Sequence, residues 1–263
     1  MDLSIVIPVY NEARKIGRDI AAAAEFLLSA GLRGEVLIVD DGSSDGSATA
    51  AFEQPMPPGV ERRIIRLPLN KGKGAAVRAG VLASQGLLVM FADSGHCIDY
   101  AQARAGMALV QDGLCAVAHG SRHMPGSVIT VPKPWVRTLG SDFFRLAVRS
   151  WLKIPDHLTD TQCGFKIYRG DTARQLYREL QTEGFAFDVE IILRARRRGY
   201  RIAEFPVVWH RDPDSRVLPW RMGLQIFSQL YRIRRMMRLE PLALTVDPVM
   251  NTAASFNDPA RPS

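Results

Sequence analysis

Four polar clusters, each set directly after an apolar run, are the residues of this chain best suited to chemistry. Leu87 to Ala92 ends in Asp93-Ser94-Gly95, and Glu35 to Val39 ends in Asp40-Asp41 and a loop of small residues, Gly42 to Ser47. Leu3 to Val9, which contains Pro8, ends in Tyr10-Asn11-Glu12, and Arg62 to Leu67 leads into Asn70-Lys71-Gly72-Lys73-Gly74. Carboxylates accept hydrogen bonds from a base N–H and from ribose hydroxyls. Glycines ahead of a helix expose backbone N–H groups and lysines add charge, which suits a phosphate. The lysine loop is no Walker A motif, and Val77 stands where a dinucleotide fingerprint needs its third glycine. Each cluster alone has a plainer reading, as a turn or a helix cap such as Asp45 or Ser47. Together, a nucleoside diphosphate is the simplest single ligand. If it carries a sugar, breaking the anomeric bond puts charge on the departing diphosphate, and cations aimed there lower the barrier.

The elements that must position these groups follow from periodicity. Leu3 to Val9 reads as a first, central strand, and Asn11 as the cap of a helix reaching about Ala30. The second and third strands are Glu35 to Val39 and Arg62 to Leu67, with a helix over Ala75 to Ala83. The Asp93 strand shows no alternation, so it is expected to be buried on both faces. A helix from Asp99 to Gln111, a fifth strand from Leu114 to Ala118, a loop from Met124 to Pro134 and a helix from Trp135 to Leu152 follow. A strand resumes at Gln162 to Tyr168, a helix runs from about Phe185 to Arg198, and Arg201 to Trp209 is the last strand. Asp188 and Glu190, two apart on that helix, point roughly 200° away from each other, so only one faces a given site. Strands alternating with helices predict an α/β fold with a mostly parallel sheet, helices on both faces, and ligands beyond the carboxyl ends of the strands. Residues 1–239 are expected to form one domain. Its last helix, 219–239, is basic and amphipathic, with Leu224, Ile226, Phe227, Leu230, Tyr231, Ile233 and Met237 on one side. That helix either packs on the domain or lies at a membrane interface. The tail from Glu240 is expected to be disordered.

Composition narrows the class. The chain has 263 residues, 47% hydrophobic and 23% charged, which suits a large α/β domain and not a disordered one. The net charge of +7 favours an anionic partner. Nucleic acid ranks low, because the basic residues cluster late and no aromatic stripe interleaves with them. Three cysteines without a CxxC pair support neither a disulfide framework nor a zinc site, so a reducing, cytoplasmic setting is expected. No secretory leader is read at the N-terminus, and no apolar run approaches the roughly 18–20 residues of a membrane span. Attachment to the inner membrane surface through 219–239 stays compatible with this.

These motifs resemble the family-2 glycosyltransferases of the GT-A type, and within them the dolichyl- and polyprenyl-phosphate glucosyl/mannosyltransferase group. The stretches that carry the likeness are SIVIPVYNE, VDDGSSDGS, LNKGKGAAVRAG, the strand ending in Asp93, GSRH, DTQCGFKIY and FAFDVEIILRARRRG, over about residues 3–235. The resemblance implies a Rossmann-like GT-A fold and an inverting, single in-line displacement. Donor contacts carry over to Pro8, Tyr10, Asn11, Glu12, Asp40, Asp41, Lys71, Gly72 and Asp93. Arg122, Arg137 and Gln162 become acceptor-phosphate candidates. Asp160 is placed near the acceptor, and with Asp188 it is a candidate base should the acceptor be a hydroxyl. DTQCGFK and AFDVE favour glucose over mannose and UDP-glucose as donor, with a polyprenyl phosphate or another phosphate-bearing acceptor.

One position departs from the family. The family's Asp-x-Asp is written here Asp93-Ser94-Gly95, so the usual second metal-binding carboxylate is a glycine. Mg²⁺ or Mn²⁺ at Asp93 is the expectation the resemblance brings; with Gly95 in the second position, His96 or Asp99 could fill in, although neither position is a family ligand, and weaker metal binding, an altered donor or lost activity stay open. Two alternatives stay open from sequence: a family-2 transferase with a hydroxyl acceptor, and a non-catalytic nucleotide-sugar-binding protein.

Overall fold

A computed structural model of the chain describes residues 1–130, 149–210 and 219–239, with side chains from residue 225 in the last stretch. Seven strands form one mixed sheet: β1 (Leu3–Val9), β2 (Gly34–Asp40), β3 (Val60–Arg66), β4 (Leu88–Ala92), β5 (Val117–Ser121), β7 (Phe165–Arg169) and β8 (Ile202–Pro206). Their spatial order is β3-β2-β1-β4-β7-β5-β8. All neighbours are parallel except β7, which runs antiparallel between β4 and β5. Short β6 (Val128–Ile129) and β9 (Val208–Trp209) form a separate parallel pair. The expected last strand is therefore two, broken at Val207 after Pro206, whose ring has no N–H to offer a ladder.

Helices α1 (Ile16–Ser29), α2 (Ser47–Glu53), α3 (Lys73–Ala83), α4 (Ala103–Gln111), α5 (Gly170–Glu179), α6 (Phe187–Arg197) and α7 (Pro219–Leu239) complete the described elements, with one 3₁₀ turn at Tyr100–Gln102. Side chains alternate across a strand, and the core obeys that period. Leu3, Ile5, Ile7, Val36, Ile38, Met90 and Ile167 face one layer, packed against α1 and α4. Val6, Leu37, Val39, Val89, Phe91, Val117 and Tyr168 face the other, packed against α3, α5 and α6. The apolar runs of β1, β2 and β4 are buried throughout, because both faces are covered.

The topology also opens the site. The sheet order reverses at β1, whose neighbours are β2 and β4. β1 stays paired with β2 through Val9 and Asp40, whereas its pairing with β4 stops at Val6 and Phe91. The two strands part beyond that point, leaving a crevice of the kind in which open α/β sheets hold ligands.

α7 docks through Leu230, Ile233 and Met237, buried against Leu158, Val189, Ile192 and Leu193. Gln229 fixes its register by accepting a hydrogen bond from the Ala186 N–H at 3.1 Å. Phe227 and Tyr231, expected on the packed side, stand 57% and 60% exposed. They lie on the flank of the stripe, outside the seam set by Leu230, Ile233 and Met237. Among the described residues no helix is long and apolar enough to cross a membrane. Arg137 and the tail from Glu240 lie outside the described residues.

Candidate active site

On the donor side, the motif residues tie the loops of the crevice to one another. Asp41 is 3% exposed, and its two carboxylate oxygens accept from the Lys71 and Gly72 N–H groups, each at 2.8 Å. Burial raises its pKa against those two hydrogen bonds. It shapes the lysine loop and leaves the Lys71 side chain exposed to solvent. Asp40 accepts from the Ser43 N–H at 2.8 Å and lies 3.3 Å from the Arg66 guanidinium. The Asn11 N–H donates to Ser43 Oγ and the Glu12 N–H to Ser47 Oγ, so the β1 and β2 tips are stitched together. Glu12 pairs with Lys15 at 2.7 Å, Tyr10 is half-exposed, and Pro8 is buried within β1. Gly46, not Asp45 or Ser47, occupies the cap position of α2, and Asp45 accepts from the Ser47 N–H and hydroxyl just ahead of the helix.

A ladder of alternating charge runs from the crevice into the core. Asp93 Oδ1 lies 2.7 Å from Lys73 Nζ. Behind Lys73 stands Asp188, whose field acts on the lysine, and Asp188 is ion-paired with Lys166. Strand parity assembles this ladder: Asp93 continues the Val89, Phe91 face of β4, and Lys166 shares a face with Tyr168 on β7. Phe91 is its floor, with Lys73 and Lys166 nitrogens 5.3 and 5.9 Å from the ring centroid. Burial works against the Lys73 ammonium, but the Asp93 and Asp188 carboxylates outweigh it and raise its pKa. Burial pushes the Asp188 carboxyl up, against the pull of Lys166 and Lys73. His119 faces the same side, paired in register with Lys166, and burial with that ammonium holds it neutral.

The other side is built on a fork. Arg122 Nε and Nη2 donate to the two oxygens of Asp160 at 2.6 and 2.9 Å, and the Arg122 N–H adds a third bond at 3.1 Å. Burial alone would raise the Asp160 carboxyl; the Arg122 fork overrides it and holds the group well below the usual carboxylate range. Glu204 on β8 fixes the loop beneath, accepting from the N–H groups of Thr159 and Asp160 at 2.8 Å each. Arg122 lies over the Trp209 ring at 5.8 Å, so its plane is set from two directions. A guanidinium has five N–H donors, and this fork leaves some of them for another anion. Gln162 is exposed nearby, its N–H 3.3 Å from Asp160.

Residues 4–176 match the family described as "Glycosyl transferase family 2". This chain belongs to glycosyl transferase family 2. A dolichyl-phosphate beta-glucosyltransferase of Drosophila melanogaster is 32% identical over 248 residues, covering 89% of this chain and 74% of that protein. The Homo sapiens protein of the same description is 32% identical over 243 residues, covering 88% of this chain and 74% of its own. Among solved structures, glucosyl-3-phosphoglycerate synthase from Mycobacterium tuberculosis, in complex with Mn²⁺, UDP and phosphoglyceric acid, superposes with a TM-score of 0.65. It is 18% identical, covering 91% of this chain and 79% of that one. Mannosyl-3-phosphoglycerate synthase from Rubrobacter xylanophilus gives 0.64 at 18% identity, over 95% and 80%. These neighbours share the GT-A fold, and the chain is a family-2 hexosyltransferase.

Against this family background one sequence expectation of the β1 tip needs correction: Asn11 does not cap α1. It sits at φ +56° and accepts from the Ser44 N–H, while α1 begins after Lys15 with no side-chain cap. Asp160, a candidate base, is bound through both oxygens by the Arg122 guanidinium, which lowers its affinity for a proton. Asp188, the other candidate base, is 2% exposed and turned to Lys166. Glu190, facing away as the helical spacing requires, accepts from Gln181 and Thr182 N–H groups and from Arg194.

The donor set around Asp93 is thin for the family's metal. Asp93 offers one carboxylate, already paired with Lys73, and Gly95 offers none. Among the described residues no three His, Cys, Asp or Glu side chains converge as a cation site. The described residues do not fit the ion expected at Asp93. Lys73 belongs to the lysine loop read as a phosphate site, whereas Lys166, Glu204, Asp19 and Gly164 were not singled out from sequence. A charged residue inside a buried strand was the available signal for Lys166. A separate hollow of about 430 Å³, lined by residues including Arg149, Lys153 and Arg196, contains no sequence-predicted site residue.

Proposed function

We propose that this family-2 enzyme transfers glucose, with inversion, from UDP-glucose to a polyprenyl or dolichyl phosphate. The observation that carries this reading is the state of the two candidate bases. Asp160 is bound through both oxygens by Arg122, which holds its carboxyl below the usual range, and Asp188 is buried against Lys166. A hydroxyl acceptor would need one of them to take its proton. A phosphate monoester, with a second pKa of about 6, is already ionised near neutral pH and needs neither. The unengaged N–H groups of Arg122 supply a fixed partner for such a phosphate. Its oxygen attacks the anomeric carbon, the bond to the diphosphate breaks, and UDP leaves with the electron pair; no proton changes hands. Lys71 and Lys73 stand on the leaving-group side. The names of the similar proteins and the QCGFK and AFDVE stretches support glucose and a lipid phosphate.

α7 supports a membrane-surface setting. Phe227 stacks on Trp151 at 5.8 Å, Arg234 lies over the same Trp ring at 4.8 Å, and Tyr231 and Leu239 stand out in solvent. Arg232, Arg235 and Arg238 supply charge for anionic headgroups on the same helix. The test is transfer of labelled glucose from UDP-glucose to a polyprenyl phosphate in detergent, against a matched polyprenol. Labelled lipid from the phosphate alone is expected. Transfer to the alcohol at the same rate would overturn the phosphate reading. Co-sedimentation with anionic vesicles, reduced by Phe227→Ser with Tyr231→Ser, checks the membrane contact.

A further inference from the structure

We infer that Lys73 occupies the role of the divalent cation at this site, so that the chain binds its nucleoside diphosphate without a metal ion. The inference deepens the donor reading above and rests on it. Between Ala92 and Tyr100 the carboxylates are Asp93 and Asp99, and Asp99 is engaged as the cap of the 3₁₀ turn, accepting from the Ala101 N–H at 2.8 Å. The position of a second carboxylate is Gly95, at φ +100°, a backbone conformation that an L-aspartate would hold only under strain. Both of its backbone polar groups are engaged by α1. Its N–H donates to Asp19 Oδ2 at 2.7 Å, and its carbonyl accepts from Arg18 Nη2 at 3.3 Å. Asp19, which could otherwise replace the lost ligand, is fully buried beneath that strap.

Asp93 is committed through one oxygen: Oδ1 faces Lys73 at 2.7 Å, and the carboxylate packs against Gly164, where a Cβ would lie 2.0 Å from Oδ2. A divalent ion approaching Asp93 meets an ammonium already in place. The ladder Asp93, Lys73, Asp188 and Lys166 carries two positive and two negative charges. Each carboxylate of the ladder therefore already has an ammonium beside it. Lys73 has the properties the role requires. Its side chain is 19% exposed, so a ligand can reach it, while the Phe91 ring and Asp188 hold it from behind. An ammonium has three N–H donors, and the pairing with Asp93 leaves donors for diphosphate oxygens.

The experiment is calorimetric titration of the full chain with UDP and with GDP, in EDTA and in excess Mn²⁺. The same mixtures are followed by electron paramagnetic resonance of the free Mn²⁺ signal. UDP is expected to bind with affinities within about twofold in the two buffers. The protein–UDP mixture should deplete free Mn²⁺ no more than UDP alone. Lys73→Met should weaken binding in EDTA by about tenfold or more, with Lys73→Arg retaining most of it. Thermal melts check that each variant folds. Should Lys73→Met not fold, Lys73→Arg and the wild-type arms decide. UDP binding that appears only with Mn²⁺, or a folded Lys73→Met that binds as wild type in EDTA, overturns the inference and leaves the donor reading standing. Binding of neither nucleotide in either buffer overturns the donor reading, and this inference with it.

Discussion

Two ion pairs meet at the active site and differ in kind. Lys73 and Asp93 touch through one point contact at 2.7 Å, and both side chains reach solvent. Arg122 and Asp160 touch through a planar fork, with the carboxylate 3% exposed and a third bond from the backbone. A point charge on a flexible stem can release its partner and turn to another anion; a fork held by a ring and a buried carboxylate cannot. The donor side thus keeps a movable cation where charge develops on a leaving group. The other side keeps a fixed one where an ionised acceptor has to be aimed.

The sharpest way to break this contrast is to remove one carboxylate from each pair and measure stability by urea unfolding. Asp160→Ala leaves a mostly buried guanidinium without its fork, and a loss of about 3–5 kcal/mol is expected. Asp93→Ala leaves an ammonium that solvent can reach, and the expected loss is about 1 kcal/mol or less. Equal losses from the two variants would show that both pairs are structural and that neither is free to move.

The same contrast has a sign in pH. Burial raises Asp19, the carboxylate beneath the Gly95 strap, from 3.8 to about 6, against the Gly95 hydrogen bond. A raised acid binds its proton more tightly folded than unfolded, so stability falls as pH rises from 3.8 to about 6 and stays lower above it. The cost above that window is up to ~3 kcal/mol. Asp160 is depressed, so its contribution is complete above its ordinary value and is lost as pH falls below 3.8. Asp19→Asn should therefore stabilise the protein by up to ~3 kcal/mol near pH 7 and flatten the profile between pH 4 and 6. A variant with an unchanged slope over that range would remove Asp19 from the account.

Much of this site was legible before any coordinates, and the reasons are physical. Unalternating apolar runs marked β1, β2 and β4, and the turn chemistry after them marked the crevice, because strands buried on both faces have no other place for polar groups. The residues that do not read out are those whose partners are distant in sequence. Asp41 looks like a ligand contact and serves the Lys71 and Gly72 amides 30 residues on. Asp160 reads as a candidate base, and the partner that lowers its affinity for a proton, Arg122, lies 38 residues before it, at the tip of another strand. Lys166 was readable by parity: it sits one residue before Ile167, which faces the α1 layer, so it had to face Asp93 and α6. Asn11 failed as a cap because its φ of +56° carries the chain away before α1 starts.

The last test falls where the two sides meet. Gly164 lies in the QCGFK stretch, its carbonyl accepting from the Asp93 N–H at 2.8 Å. A methyl group there would intrude on the Asp93 carboxylate, with Oδ2 at 2.0 Å and Cγ at 2.1 Å. Because the clash is with the end of a side chain, Asp93 can turn aside and the fold should survive. Lys73, paired to that carboxylate, would follow it. A misplacement of about 1 Å in a positioned group costs on the order of 10²-fold in rate. Gly164→Ala should therefore lower kcat/KM for UDP-glucose by about a hundredfold, or ~2.7 kcal/mol. Its melting temperature should change little, and the KM for the phosphate acceptor, set by the Arg122 fork, should change little as well. A loss shared equally between donor and acceptor would show that the movable and the fixed pair act as one unit.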